Sequence, residues 1–188
     1  MNPKAKCETV QLPISTRDGK FIARYTAKGL AGLNFPTKRT GRAATASGET
    51  TAQIRRWHRA TAGALKRALG GRVPQVLPPL DISSGTAFQQ RVWGALRKIG
   101  CGQTRSYGEI ARLIKKPQAI RAVGRACGAN PIPVFVPCHR VLTANQKLGG
   151  FSAGLNWKRT LLARESVVLA PCTVRTMHWQ KARLPAGC

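Results

Sequence analysis

Helix signals that follow one another between residues 86 and 129 constrain the fold of this chain more than any other feature. Thr86–Gln89 (TAFQ) and Ser106–Glu109 (SYGE) are capping-box patterns, in which side chains satisfy the free amides at a helix start. The first predicts a helix that ends at Gly100. The second predicts a short helix that stops before Pro117, and a third helix is expected over about 118–129. Two short helices across a tight turn are typical of a helix-turn-helix.

The third predicted helix has an unusual polar face, formed by Arg121, Gly124, Arg125 and Gly128. Glycine inside a helix costs about 1 kcal/mol relative to alanine, so the two glycines need a reason. Small residues allow another backbone to come close, and arginines suit phosphates, so we interpret this face as a DNA-contacting surface. Helix packing against the glycines is the alternative, but the arginines would then be buried as well. The opposite, apolar stripe consists of Ala119, Ala122, Val123, Ala126 and Cys127.

The charge balance indicates a polyanionic partner. Lys and Arg total 32 against 6 acidic residues, a formal net charge of +26, and nucleic acid is the first candidate. A membrane surface comes second, because the chain has no basic amphipathic anchor and no apolar run of membrane-spanning length. The N-terminus lacks the apolar core of a signal peptide. We therefore expect a cytoplasmic protein, or a nuclear one in a eukaryote, with reduced thiols.

The N-terminal part of the chain reads as a small α/β unit. Residues 7–35 contain short apolar runs separated by turn residues, which predicts strands. A flexible loop is expected over 36–52 and a helix over 53–69, ended by two glycines. The proline-rich stretch 74–85 is the predicted domain boundary. The expected regions are an N-terminal domain, a DNA-binding domain and a poorly ordered basic extension, over residues 1–80, 81–165 and 166–188.

The chemically most suggestive stretch is Pro137–Val141 (PCHRV), in which Cys138 adjoins His139. It follows an apolar run, Ile132–Val136, that predicts a buried strand. A cysteine nucleophile needs a base or a positive charge to form its thiolate. Adjacent side chains at a strand end point in opposite directions, so contact between the two would need a turn or a bridging water.

A histidine base in turn needs an acceptor that orients it, and few carboxylates are available. Beyond the predicted boundary the candidates are Asp81, Glu109 and Glu165. Glu109 is expected to be used in its capping box, and Asp81 lies in the connection. Glu165, on a last predicted helix, is the remaining partner for His139. The histidines are too scattered, and the six cysteines include no C-x-x-C pair, so no metal site is expected.

Taken in order, these motifs resemble those of the O6-alkylguanine-DNA alkyltransferases. The resemblance covers about residues 80–165 and is looser before them. It implies an α+β fold with a ribonuclease H-like N-terminal domain and a mostly helical, winged-helix-like catalytic domain that contains the helix-turn-helix. The matching strings are Gly85–Gln89, Ser106–Glu109, Arg121–Gly124, Asn130–Pro131 and Pro137–Val141.

The family resemblance implies direct repair of DNA, in which a guanine turned out of the duplex gives its O6-alkyl group, mainly methyl, to Cys138 in a single turnover. O4-alkylthymine is an expected second substrate. By this analogy His139 acts as a base through a water, Glu165 orients it, and Tyr107 donates a proton to the guanine ring. Asn130 supports the cysteine–histidine geometry. No cofactor is implied, and a monomer is expected.

The same resemblance assigns the surfaces around Cys138. Arg121 would fill the space that the guanine vacates. Phe151 stands where many relatives have tyrosine, so a second hydrogen bond to the base is in doubt. The implied DNA-contacting residues are Arg121, Arg125, Gly124, Gly128, Ala122 and Ser106. The implied base-pocket residues are Val141, Phe151, Ser152, Cys127 and Arg140.

Other functions leave part of the sequence unexplained. A protein that binds the alkylated base without transfer would not need Cys138. A helix-turn-helix regulator accounts for the charge but not for Cys138, His139 and Glu165. A thiol hydrolase would not need the arginine–glycine helix.

Overall fold

The N-terminal half is built on an antiparallel sheet. The computed structural model describes residues 9–36 and 50–167. The strands are β1 (Val10–Thr16), β2 (Gly19–Thr26) and β3 (Gly29–Asn34), in the order β1-β2-β3. Gly19 and Gly29 follow the two turns with φ of 116° and 141°, a backbone region that favours glycine. The predicted strands are therefore present.

One face of this sheet packs against a long helix, α1 (Ala52–Leu69). The Thr51 side chain caps its first turn, and the helix ends at Gly70, as the pair of glycines predicts. Ile54 and Leu65 are buried on the side that contacts the sheet. His58 accepts or donates a hydrogen bond with the Tyr25 hydroxyl at 3.2 Å and has a packing role.

The C-terminal half is mainly helical. Both predicted capping boxes are present, at Thr86–Gln89 and Ser106–Glu109. The first helix ends at Leu96 rather than Gly100, because the chain continues in tighter turns. The third helix packs on both others and is shorter than predicted. These helices are α2 (Ala87–Leu96), α3 (Tyr107–Leu113) and α4 (Ile120–Gly128).

The predicted strand over Ile132–Val136 is wrong, although the run is buried. The segment forms a tight turn in which the Val136 amide donates to the Ile132 carbonyl at 2.9 Å. Val134 has a positive φ of 77°, which a strand does not allow. Pro131 and Pro133 lack amide hydrogens and could not complete a ladder. The regular strands nearby are a short parallel pair, β4 (Arg105–Ser106) and β5 (Val141–Leu142).

The last described helix, α5 (Leu155–Arg164), runs from the loop after β5 and returns to the N-terminal half. There Arg164 binds Asp18 in the β1–β2 turn. The connection 74–85 also pairs with the sheet, since Leu30 exchanges backbone hydrogen bonds with Pro79 and Asp81. The predicted domain division at residue 80 stays a prediction. The predicted loop 36–52 and extension 166–188 lie almost wholly outside the described residues.

Within the described ranges, no helix is long and apolar enough to span a bilayer.

Candidate active site

Cys138 lies at the start of a short 3-10 helix, Cys138–Arg140, directly after the buried turn. Its side chain is 3% exposed. Asn130 fixes the turn and the thiol together: its Nδ2 donates to the Val136 carbonyl at 2.7 Å and approaches Cys138 Sγ at 3.1 Å. The Asn130 Oδ1 accepts from the Ile132 amide at 3.0 Å. The asparagine thus links the turn to the thiol.

His139 and Glu165, which sequence reasoning paired by elimination, are in contact. His139 Nε2 lies 3.0 Å from Glu165 Oε1. Arg140 donates to both oxygens of the same carboxylate, from Nε and Nη2, each at 2.8 Å. Burial acts to raise the pKa of Glu165, but the hydrogen bonds from His139 and Arg140 outweigh it and lower the pKa to about 2. Glu165 is therefore a carboxylate at any ordinary pH.

His139 is held as a neutral imidazole. Burial lowers its pKa more than the Glu165 carboxylate raises it, and Arg140 and Lys158 add to the lowering. Its contact with Glu165 is therefore a hydrogen bond in which Nε2–H donates, and Nδ1 carries the free lone pair. That Nδ1 is buried and has no hydrogen-bond partner among the described residues. A basic nitrogen without a partner can accept a proton during a reaction.

Lys158 is a buried cation that the sequence analysis missed. It lies on α5 with no exposed surface, and its Nζ donates to the Val141 carbonyl at 2.6 Å. Burial lowers its pKa to about 8, whereas the neighbouring thiols of Cys138 and Cys127 act to raise it. Its spacing from Leu161 and Leu162 on the apolar face of the helix is the signal that could have revealed it.

The Cys138 thiol is subject to opposing influences. Burial raises its pKa, while the hydrogen bond from Asn130 and the charge of Lys158 act to lower it. The thiol is thus protonated at rest, with a base and a cation near it. Chemically, this is a nucleophile that can be activated when a substrate arrives.

Cys138 opens into a cavity of about 570 Å³, large enough for a purine base with its substituent. Three residues that the resemblance assigns to the base pocket, Cys127, Phe151 and Ser152, line this cavity. Arg140 does not, because its side chain turns to Glu165. Val141 is buried behind the wall and presents its carbonyl to Lys158. The remaining lining residues are Tyr107, Gly124, Gly128, Cys138, Thr143, Gly149 and Gly150.

Helix α4 places its polar face at the mouth of this cavity. Gly124 and Gly128 belong to the cavity wall, whereas Arg121 and Arg125 are exposed on the same helix. The glycines therefore leave room for a ligand rather than for a packed helix. Ala122 is half-buried, and Ser106 serves mainly as the cap of α3, where it bonds Glu109.

Tyr107, the first residue of α3, faces the cavity from the other side. Burial raises the pKa of its hydroxyl to about 12, with a further contribution from the thiols of Cys127 and Cys138. The phenol therefore keeps its proton at neutral pH and can act as a donor. Among the described residues, no group of three or more His, Cys, Asp or Glu side chains could hold a metal ion.

Comparison with known proteins places this site in a family. Residues 87–167 match the family described as 6-O-methylguanine DNA methyltransferase, DNA binding domain. A methylated-DNA–protein-cysteine methyltransferase of Mycolicibacterium paratuberculosis is 53% identical over 110 residues, which cover 57% of this chain and 66% of the relative. One from Methanosarcina mazei is 57% identical over 81 residues, 43% of this chain and 51% of the relative. The matches thus span about half to two thirds of these relatives.

The structural match extends over most of the chain. The crystal structure of Mycobacterium tuberculosis OGT in complex with DNA has a TM-score of 0.68 and 38% identity, covering 81% of this chain and 90% of that one. This chain therefore has the same mixed fold of strands and helices as that OGT structure. This chain belongs to the methylated-DNA–protein-cysteine methyltransferase family.

Proposed function

We propose that this protein repairs DNA directly, by moving the alkyl group on O6 of a guanine in duplex DNA to the sulfur of Cys138. The observation that carries this proposal is the position of the thiol. The Cys138 thiol lines a cavity large enough for a base, and glycines of the arginine-bearing helix α4 form part of the same cavity wall. The next residue, His139, is a neutral imidazole that is hydrogen-bonded to the Glu165 carboxylate. The family relationship supports the same reaction.

The thiolate forms by proton transfer to His139. A water between the Cys138 sulfur and His139 Nδ1 would carry the proton, since that nitrogen is the free acceptor of the ring. The imidazolium that results is stabilised by Glu165, which Arg140 keeps in place. The charged Lys158 stabilises the sulfur anion electrostatically.

In the transfer step the thiolate attacks the alkyl carbon. A sulfur–carbon bond forms and the carbon–O6 bond breaks, so the electron pair of that bond goes to the guanine. Tyr107 supplies a proton to the ring from a hydroxyl that its raised pKa, about 12, keeps protonated at rest. The proton that His139 took from the thiol then restores the phenol, so the proton count balances. The product on Cys138 is a thioether, which has no ready leaving route. The protein is therefore spent in one turnover and needs no cofactor.

Access to the alkylated base requires its rotation out of the helix, because the cavity lies below the protein surface. Arg121 and Arg125 are exposed where they can meet the phosphates and the vacated stack. By family analogy the backbone of Cys138, Val141 and Ser152 reads the base; Cys138 and Ser152 line the cavity, and Val141 lies just behind its wall. The Val141 carbonyl has a second lone pair free for the guanine amino group, since Lys158 uses one.

The family resemblance also suggests a more specific fold, substrate range and location for this protein. The N-terminal half is ribonuclease H-like, and the α3–α4 pair belongs to a winged-helix-like domain. The protein acts as a monomer on O6-alkylguanine and also on O4-alkylthymine. It works where the chromosome lies, in the cytoplasm of a prokaryote or the nucleus of a eukaryote.

The competing function is recognition of the lesion without transfer, and one substitution separates the two. Cys138→Ser should keep its affinity for a duplex with O6-methylguanine and lose all removal of the methyl group. Cys101→Ser is the matched control, since this half-buried thiol lies outside the cavity. Gel-shift titration measures affinity, and nucleoside analysis of the digested DNA measures repair. Normal repair by Cys138→Ser would refute the proposed reaction.

A further inference from the structure

The end of α5 is held by a side chain from the far N-terminal part of the chain. Arg164 donates two parallel hydrogen bonds to Asp18, from Nη1 at 2.8 Å and from Nη2 at 2.7 Å, across 146 positions of sequence. The side chains of Asp18 and Arg164 are only 16% and 23% exposed. A two-point arginine–carboxylate contact with little solvent access fixes both distance and orientation.

A second contact holds the backbone at the same place. Gly71, just after α1, has a φ of 72°, and a Cβ added to it would overlap the carbonyl oxygen of Arg164. The end of α1 therefore lies directly against the last residue of α5. The β1–β2 turn and the end of α1 therefore both contact Arg164, the first through its side chain and the second through its backbone.

That residue precedes Glu165, the acceptor of the His139 hydrogen bond. Helix ends fray, and Glu165 stands at the C-terminal cap of α5, where its amide bonds only to the last turn. Its carboxylate must nevertheless stay within hydrogen-bonding distance of His139, at 3.0 Å. Displacement of a catalytic group by about 1 Å can slow a reaction by about a hundredfold.

We propose that Asp18 and Arg164 are positioning residues for alkyl transfer: their ion pair clamps the end of α5 and so holds Glu165 against His139. The inference rests on the proposed function, because alkyl transfer is the reaction concerned. The effect of the clamp on the activation of Cys138 can be measured without that reaction. The turn between β1 and β2 of the N-terminal sheet would then help to position the catalytic carboxylate. Neither residue touches the cavity.

The clamp predicts a pH signature that a purely structural ion pair would not give. If Glu165 is loosened, His139 is a poorer base and the thiolate forms less readily near neutral pH. At high pH the thiolate forms without the relay, and the defect should shrink. No variant replaces the other charged or titratable groups around Cys138 and His139, so their titration, including that of Lys158 with its pKa of about 8, is common to all variants. These groups are Tyr107 from α3, Cys127 from α4, Arg140 from the 3-10 helix and Lys158 from α5.

The test uses the full chain and two readouts. The first is the rate at which iodoacetamide, a small DNA-free electrophile, modifies Cys138, followed by peptide mass from about pH 6 to about pH 10. The second is the rate of methyl transfer from a duplex with O6-methylguanine. The variants are Asp18→Asn and the exchanged pair Asp18→Arg with Arg164→Asp. Lys20→Gln, an exposed residue just after the same turn, is the matched control.

Asp18→Asn should lower both rates by about tenfold at pH 7, with the difference closing towards pH 10. The exchanged pair should recover to within about threefold, and Lys20→Gln should match the unchanged protein. Circular dichroism at each pH checks that the variants stay folded. The clamp is refuted if Asp18→Asn keeps the original rates, or if its rates fall by the same factor at every pH. Should the unchanged protein react with iodoacetamide but never with the methylated duplex, the proposed function fails and the clamp is still tested by the first readout.

Discussion

At the scale of single residues, the site depends on protonation states that burial and neighbours set in opposite directions. Glu165 stays charged because donors surround it, and His139 stays neutral because its burial outweighs the carboxylate. Cys138 is consequently a resting thiol with a proton acceptor available. Such a site keeps the sulfur as an unreactive thiol at rest.

Glu165→Gln tests this balance through stability. The folded-state pKa of Glu165, about 2, lies below its ordinary value of 4.5, so its stabilising contribution is fully present above pH 4.5 and is lost as the pH falls through 2. The variant should be less stable than the unchanged protein at pH 7, and the gap should close over that acidic window. Urea denaturation at several pH values measures the gap. A gap that stays constant down to pH 2 would contradict this assignment.

Lys158→Met separates an electrostatic role from a structural one. Without the cation, Cys138 should react with iodoacetamide about tenfold more slowly at pH 7, the effect of one charge interaction of ordinary strength. The free energy of unfolding should change by less than about 1 kcal/mol, because loss of the buried charge offsets loss of the hydrogen bond to Val141. Arg159→Met, an exposed neighbour on the same helix, is the control. An unaltered Cys138 rate would exclude a role for the charge.

Sequence reasoning found the residues that local patterns expose and missed those that only the fold brings together. Glu165 could be paired with His139 because carboxylates are scarce beyond residue 80. Lys158 could have been found from its apolar helical spacing, but a lysine is normally read as a surface residue. The contact between Asp18 and Arg164 has no signal in a single sequence, since it joins positions 146 residues apart.

At the scale of elements, the helices were predictable because the residues that cap each helix start lie within four positions of one another in the sequence. Thr86–Gln89 and Ser106–Glu109 cap themselves with their own side chains. The buried run Ile132–Val136 was misread as a strand, because burial alone produces the same apolar string in a turn. Pro131, just before the run, and Pro133, within it, argue against a strand because proline cannot donate a ladder hydrogen bond.

A pair of glycine substitutions tests how tightly the elements meet. Gly71→Ala should destabilise the protein by about 2 kcal/mol or more, because φ is positive and the added carbon overlaps the Arg164 carbonyl. Gly63→Ala, in the middle of α1 with open space around the new carbon, should stabilise it by about 0.5–1 kcal/mol. Thermal and urea unfolding measure both. Equal effects of the two substitutions would contradict the described contact between α1 and α5.

At the scale of the whole molecule, the acidic residues are as informative as the basic ones. Each carboxylate in residues 9–36 and 50–167 has a hydrogen-bonded role within the fold, so few remain to neutralise the cations that give the chain its net charge of +26. The exposed arginines are thus available to phosphates, and affinity for DNA should fall steeply as salt rises. These carboxylates belong to Asp18, Asp81, Glu109 and Glu165.

The whole molecule also unites the two halves that the sequence suggested were separate. The turn after β1 and the end of α1 reach the last residues of α5, and the connection around Pro79 pairs with β3. By the clamp proposed above, the N-terminal half would also help to position Glu165. Removal of its contacts should alter the chemistry of Cys138 and not only the stability of the fold.

The most direct test of the proposed reaction is the mass of the peptide that contains Cys138 after the protein meets a duplex with one O6-methylguanine. With protein in excess, the peptide should gain one methyl group for each lesion removed, and the guanine should be restored. With DNA in excess, repair should stop when every Cys138 is methylated. An unmodified Cys138 alongside full binding of the lesion, or repair that continues past one event per protein, would contradict transfer to this cysteine.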